Sequence, residues 1–262
     1  MPIVRLAVAL SLALILVMPA CSSPPERLRV LSYNIHHGEG TDGRFDLARL
    51  AAVISAETPD LVALQEVDRG TRRASGVDQA AELGRLTGMT AVFGRAIPYQ
   101  GGEYGDAVLS RRAVRRSGAL PLPAEPGHET RVATWVEIPT ERGPLVFVGT
   151  HLDHTEDEGD RVRQAETLVA AWPRGAGADV VLAGDLNAEP GSAPMGILLA
   201  HFEDASRATP EPTFPSDAPE KRIDWILVRA ELGWRVAESR VLDERIASDH
   251  RPLLVVLERA DD

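Results

Sequence analysis

Val180-Val181-Leu182-Ala183-Gly184-Asp185-Leu186-Asn187 is the stretch on which the reading of this chain turns. Four apolar residues, two of them β-branched, form a short buried strand, and Gly184-Asp185 ends it. Asp and Asn are turn formers in their own right, so one such ending means little. The same ending recurs along the chain. Asn34 follows Val30-Leu31-Ser32-Tyr33, Glu66 follows Leu61-Val62-Ala63-Leu64-Gln65, and His151 follows Val146-Phe147-Val148-Gly149-Thr150. A strand end is a rigid platform for reactive groups. Carboxylates, amides and a histidine on successive strand ends therefore point to one shared site.

Working outward, strand-like and helix-like stretches alternate, with no internal repeat and no interior linker. Periodicity predicts strands over Leu28 to Asn34, Asp60 to Gln65, Thr90 to Arg95, Ala107 to Ser110, Val132 to Ile138 and Leu145 to Thr150. Further strands are expected at Val180 to Ala183, Ile223 to Val228 and Leu253 to Leu257. Helical spacing covers Leu47 to Ala56, Asp78 to Leu86 with Asp78 as N-cap, and Asp160 to Trp172, stopped by Pro173. Alternation of this kind defines an α/β class and nothing finer.

Residues Val4 to Ala20 are almost wholly apolar, with Arg5 the single basic residue. The run is short for a membrane span, which needs about 20 residues, and reads as a signal peptide over residues 1–20. It ends at Ala20-Cys21, followed by Ser22-Ser23-Pro24-Pro25. A small residue before a lone cysteine and a polar tether resembles the lipobox of bacterial lipoproteins. In those proteins the cysteine is lipidated and becomes the mature N-terminus. The expectation is an exported protein anchored to the membrane through Cys21, with residues 21–27 as tether. An ordinary secretory signal, giving a periplasmic or secreted protein, and an uncleaved anchor are the alternatives. Cys21 is the only cysteine, so the domain over residues 28–258 stands on its core without an internal disulfide. The formal net charge is -11. An acidic body repels a long polyanion, which disfavours extended nucleic-acid binding. The arginine groups Arg69, Arg72, Arg73 and Arg111, Arg112, Arg115, Arg116 are expected to be mostly solvated surface.

The chemistry-bearing segments, in order, are Tyr33-Asn34-Ile35-His36, Leu64-Gln65-Glu66-Val67, Thr150-His151-Leu152-Asp153, Gly184-Asp185-Leu186-Asn187, Arg222-Ile223-Asp224-Trp225 and Ser248-Asp249-His250. Together they resemble the endonuclease/exonuclease/phosphatase superfamily, typified by deoxyribonuclease I, exonuclease III and neutral sphingomyelinases. Singly the motifs are weak; in this order, from Arg29 to about Leu257, they are specific. The resemblance implies a four-layered α/β/β/α sandwich of two packed mixed sheets flanked by helices, with the site where both sheets end. It implies a hydrolase of phosphate esters that uses Mg2+, with Mn2+ an alternative; the chain is expected to be a monomer. Glu66 matches the principal metal ligand, and Asn34 and Asp249 match positions that complete or support that site. His250 matches the base-side histidine, oriented by Asp224. Asp185 matches the group that binds or deprotonates the attacking water, a role it shares with His250 in a way the residues alone leave open. Asn187 matches the amide that positions the nucleophile or the phosphoryl oxygens. His151 matches the histidine on the opposite side. His36, His37, Asp153 and His154 flank matched positions as candidate supporting groups.

One segment departs from the pattern. Tyr104-Gly105-Asp106-Ala107-Val108-Leu109-Ser110-Arg111 resembles a family stretch that often reads Gly-Asn-Ala-Leu-Leu-Ser-Arg. Asp106 replaces the amide, and an extra carboxylate near a phosphate is repulsive unless it faces a cation or His151. Tyr33-Asn34-Ile35-His36-His37-Gly38 and Gly76-Val77-Asp78-Gln79-Ala80 resemble a bacterial subgroup of metal-dependent hydrolases related to proteins of lipid and GPI-anchor remodelling. The implied substrate is a lipid head group or small phosphoester, a phosphodiester in the first instance. A secreted nuclease is the alternative, and a catalytically inactive binding module is a third reading from another class.

Overall fold

The computed structural model describes residues 25–259 apart from Ala176 and Thr209. The expected signal peptide, Cys21 and the start of the tether lie outside the described residues. Among those residues, no helix is long and apolar enough to cross a membrane.

Two six-stranded sheets pack face to face. The first contains β1 (Arg27–Asn34), β2 (Leu61–Arg69), β3 (Thr90–Tyr99), β4 (Gly102–Ser110), β11 (Trp234–Val241) and β12 (Leu253–Arg259), in the order β11-β12-β1-β2-β4-β3. The second contains β5 (Arg116–Leu122), β6 (Arg131–Thr140), β7 (Gly143–His151), β8 (Asp179–Asp185), β9 (Glu203–Asp204) and β10 (Asp224–Arg229), in the order β5-β6-β7-β8-β10-β9. Each sheet has one parallel pair among the described residues, β1 with β2 and β7 with β8; the other pairings are antiparallel.

Four helices cover the outer faces: α1 (Leu47–Ala56) and α2 (Gln79–Thr87) on the first sheet, α3 (Gly159–Ala171) and α4 (Ala193–Leu199) on the second. The result is the expected α/β/β/α sandwich. Its cause is visible in β1, where successive side chains point to opposite faces. Val30 enters the core between the sheets and Leu31 packs under the helices. Both are fully buried, so the strand reads as a continuous apolar run. Each such side chain contributes about 1.5–3 kcal/mol. Helix α1 buries Leu47, Leu50, Ala51 and Ile54, one stripe at helical spacing, and starts where the Asp46 carboxylate accepts from Arg49 N at 2.9 Å.

Five elements escape the sequence reading, one of them the single 3-10 turn His36–Gly38. Strands β5 and β11 lie at sheet edges and are largely exposed. They carry Arg, Glu and Ser, with Pro121 in β5, as edge strands often do. Helix α4 is seven residues long with Pro194 in its first turn, and β9 is two residues long. Strand β2 also runs further than expected. It continues past Glu66 to Arg69, so Glu66 lies inside the strand rather than after it. The arginines expected at the surface are largely paired with carboxylates: Arg73 with Asp68, Arg69 with Glu103, Arg112 with Glu26 and Arg116 with Glu137.

Candidate active site

The strands deliver their terminal residues to one edge. Asn34 is the last residue of β1, His151 the last of β7 and Asp185 the last of β8. His151 stands beside Asp185 in the parallel ladder, and Asp224, first residue of β10, stands beside it on the other side. Glu66 comes from a bulge: the β2–β4 register shifts between Leu64 and Val67, and Glu66 adopts φ 58. A bulge re-aims a side chain that a regular ladder would hold in line. His250 and Asp249 come from the loop before β12, which Ser248 ties to β1 by a 2.7 Å bond from its Oγ to Asn34 O.

All eight matched residues meet there. Asn34 Nδ2 donates to Glu66 Oε1 and to Asp185 Oδ2, each at 3.1 Å, while its Oδ1 accepts from His36 N at 3.1 Å. That last bond fixes the amide with its nitrogen toward the carboxylates. Asn34 therefore steadies Glu66 and Asp185, and its oxygen faces away from them. Asp185 Oδ2 lies 3.4 Å from His151 Nε2 and 3.5 Å from His250 Nε2. His250 Nδ1 meets Asp224 Oδ2 at 2.8 Å, and the same oxygen accepts from Thr213 Oγ1 at 2.5 Å. Asn187, held at φ 46, sends Nδ2 to His151 Nε2 at 2.9 Å and to Leu152 O at 3.1 Å. The two histidines thus flank Asp185 from opposite sides.

Their charge states differ. Burial of the His250 ring works against its charge, yet the Asp224 and Asp185 carboxylates outweigh it and raise His250 to about 10. Burial, reinforced by Arg131, His250 and His154, holds His151 well below the ordinary histidine value. His151 is therefore neutral at neutral pH and His250 charged. Burial also raises Asp185, with Asp224 adding to it, against the opposing pull of His250.

Asp106 is not the side-chain partner of His151. That partner is Asn187, and His151 Nδ1 has none. The Asp106 carboxyl is buried, and burial raises it well above the ordinary value despite Arg131 and the His151 main-chain N–H. A carboxyl kept neutral places no negative charge beside an anion, so Asp106 resembles the amide it replaces. The folded chain holds a proton there that the unfolded chain releases above about 3.8, so stability falls as pH rises through and beyond that value. Asp106→Asn should therefore raise the melting temperature, more at about pH 8 than at about pH 5. An equal shift at both pH values, or a loss of stability, would count against a neutral Asp106.

The site opens into a cleft of about 660 Å³. Glu66, Asp185 and Asp249 line it beside His151, Asn187 and His250. Glu66 and Asp249 present carboxylate oxygens, a donor set that suits a hard divalent ion. Two clusters at this edge have ligand atoms close enough to hold an ion: Asp185, Asp224 and His250, and His36, His37 and Glu66. Sequence reasoning missed Thr213, which buttresses Asp224, and Phe214, whose ring lies 4.8 Å from the His250 ring. It also missed Arg131, buried in the cleft wall with Nη2 2.8 Å from His154 Nδ1. Thr213 and Phe214 sit in a proline-rich loop without periodicity, and no local signal marks them.

A sandwich of two mixed sheets with carboxylates, amides and two histidines at one edge defines a class of phosphoester hydrolases. The chain belongs to the endonuclease/exonuclease/phosphatase family, whose pattern matches residues 31–250. Members of this family hydrolyse phosphoester bonds and generally use divalent metals, and this chain is a hydrolase of that superfamily. Among solved structures, it is similar to an endonuclease/exonuclease/phosphatase from Beutenbergia cavernae, at 27% identity and TM-score 0.71 over 89% of this chain and 72% of that one. It also shares the fold of a mannosyl-6-phosphatase from Bacteroides thetaiotaomicron, at 20% identity and TM-score 0.71 over 88% and 99%. The human Nocturnin catalytic domain, solved with bound sulfate, gives 19% identity and TM-score 0.69 over 90% and 94%. No curated protein matches the chain.

Proposed function

We propose that this chain hydrolyses a small phosphoester, a lipid head group or a similarly compact ester, with Mg2+ or Mn2+ held by Glu66 and Asp249. The observation that carries the reading is Asp185 standing between two histidines in the lining of the cleft, 3.4 Å from His151 Nε2 and 3.5 Å from His250 Nε2. When bound, the ion neutralises charge on the phosphoryl oxygens. Asn34 keeps Glu66 and Asp185 apart and aimed into the cleft. Asp185, with its raised proton affinity, is suited to take the proton of the attacking water. His250 cannot take a second proton. Held charged by Asp224, it donates Nε2–H toward the developing negative charge. Asn187 and His151 line the cleft on the side opposite His250.

The cleft charges support a compact substrate. Arg131, Arg161 and Lys221 line it, and so do Glu129, Glu156, Glu158 and Glu189. Carboxylates at a rim repel a polyanion but accept hydrogen bonds from hydroxyls. A sugar, inositol or glycerol phosphate meets both features. The mannosyl-6-phosphatase relative acts, by its name, on an ester of this kind. The metal-supplied full chain is expected to turn over bis-p-nitrophenyl phosphate, p-nitrophenyl phosphate, phosphatidylinositol or sphingomyelin, and to leave plasmid DNA nearly intact. Faster nicking of plasmid, abolished by His250→Ala, would move the nuclease reading to first place. No turnover of any ester by a folded chain would favour a binding module. We further propose a monomer, exported and lipidated at Cys21. A diacylglyceryl mass shift that vanishes in Cys21→Ser tests the anchor, and an unmodified chain starting elsewhere refutes it.

A further inference from the structure

We propose that His36, His37 and Glu66 bind a divalent transition metal of the Mn2+, Co2+ or Zn2+ type, next to the oxygen-lined position at Glu66 and Asp249. The proposal rests on the reading above only in that the two positions share Glu66. One ligand atom from each of the three side chains lies within 4.8 Å of the others. Donors about 2.0–2.2 Å from a common ion stand at most about 4.4 Å apart, so modest side-chain rotation closes the set.

The backbone is arranged for this convergence. His36 at φ 44, His37 at φ 43 and Glu66 at φ 58 all lie in the left-handed region that residues other than glycine seldom occupy. Each such residue costs about 1–3 kcal/mol, and neighbours must hold it there. Asn34 Oδ1 accepts from His36 N, and Gln79 Nε2 donates to His37 O at 2.6 Å. The other end of the same buried Gln79 accepts from Asp68 N at 2.8 Å. Gln79 is thus a strut between the histidine turn and the strand that carries Glu66. It fixes the separation of the two backbone segments from which the imidazoles and the carboxylate project.

The ring nitrogens are set as ligands. His36 Nδ1 lies 3.0 Å from Glu39 O; as donor to that carbonyl it leaves Nε2 with a free lone pair. His37 Nε2 faces the Glu39 carboxylate at 3.6 Å, while its buried Nδ1 has no partner. An outer carbonyl or carboxylate on one ring nitrogen, with the other nitrogen bare, is how metal-binding histidines are held. Two imidazoles and one carboxylate select Mn2+, Co2+ or Zn2+ over Mg2+, which prefers oxygen and its own waters. The ring contacts of His36 and His37 with Glu39 play no part in positioning Asp185 or His250, so the catalytic reading leaves them unexplained.

The test uses the full chain, stripped of metal and then saturated with Mg2+, with Co2+ added as a coloured probe and Zn2+ uptake followed by calorimetry. One further equivalent of Co2+ should bind, with visible bands from nitrogen ligation. His36→Asn or His37→Asn should each weaken it at least about tenfold, and the double variant should abolish it. Asparagine tolerates the left-handed backbone, and an unchanged melting curve keeps the comparison fair. No uptake beyond ions that displace Mg2+ would overturn the proposal. Uptake unchanged in the double variant would place the ion elsewhere and overturn it equally. If Mg2+-supported turnover persists in either case, the phosphoesterase reading stands; its loss together with Mg2+ binding would sink both.

Discussion

Replacement of His250 by alanine should lower kcat by about three orders of magnitude, from the lost proton donor and the lost charge stabilisation together. KM should change little, because in the proposed mechanism the charge that His250 meets develops in the transition state. A second loss comes with it. Asp224 is 1% exposed, and without the ring its carboxylate keeps Thr213 as its one side-chain partner among the described residues. Breaking a buried ion pair from one side costs about 3–5 kcal/mol. His250→Gln, which can still donate to Asp224, separates the effects: it should fold nearly as well as the parent and remain as inactive as His250→Ala. Asp224→Asn should cost nearly as much activity, and the double variant His250→Ala/Asp224→Asn little more than the worse single one, because the pair acts as a unit. A kcat reduced less than about tenfold in His250→Gln, with bis-p-nitrophenyl phosphate at saturating Mg2+, would remove His250 from the mechanism.

A second large effect, on stability, lies next door at Gly184→Ala. A Cβ there would stand 1.8 Å from Thr150 O, across the parallel pairing of β7 and β8. The obstacle is backbone in a buried sheet, so it cannot swing aside as a surface side chain would. Overpacking costs about 1–3 kcal/mol, and a backbone obstacle this close places Gly184→Ala at the upper end, about 3 kcal/mol. In a chain of this size that lowers the melting temperature by roughly 6–12 °C. The pushed strands carry His151 and Asp185, so activity should fall even where the chain remains folded. A melting temperature within about 2 °C of the parent would show that the strands can part there at little cost.

Gly184 also shows what was legible in the sequence. The run Val180 to Ala183 announces a buried strand, and Asp185 and Asn187 announce chemistry, but nothing in the letters says that the glycine is there for clearance. The central strands were readable because both their faces are buried and their residues are uniformly apolar. Edge strand β11 was not, because its exposed face carries Arg235, Glu238 and Arg240, which set no period. The residues that gather at the candidate site were readable by type and order, as carboxylates, amides and imidazoles at or near strand ends. Their states were not. Whether a histidine is charged depends on groups brought in from elsewhere: Asp224 for His250, and Arg131 with burial for His151. The Glu66 bulge was invisible for a related reason. It is a mismatch in length between β2 and β4, and belongs to neither strand alone.

The two sheets divide the labour. The pair β1 and β2 brings Asn34 and Glu66, while β7 and β8 bring His151 and Asp185. The only direct tie between these four side chains across the gap between sheets is the Asn34 amide, 3.1 Å from each carboxylate. Catalytic rate is then a vernier for the alignment of the two layers. A slip of one sheet over the other by a fraction of an ångström would leave the core greasy, the helices docked and the spectrum of the folded chain unchanged. The reaction alone would record it.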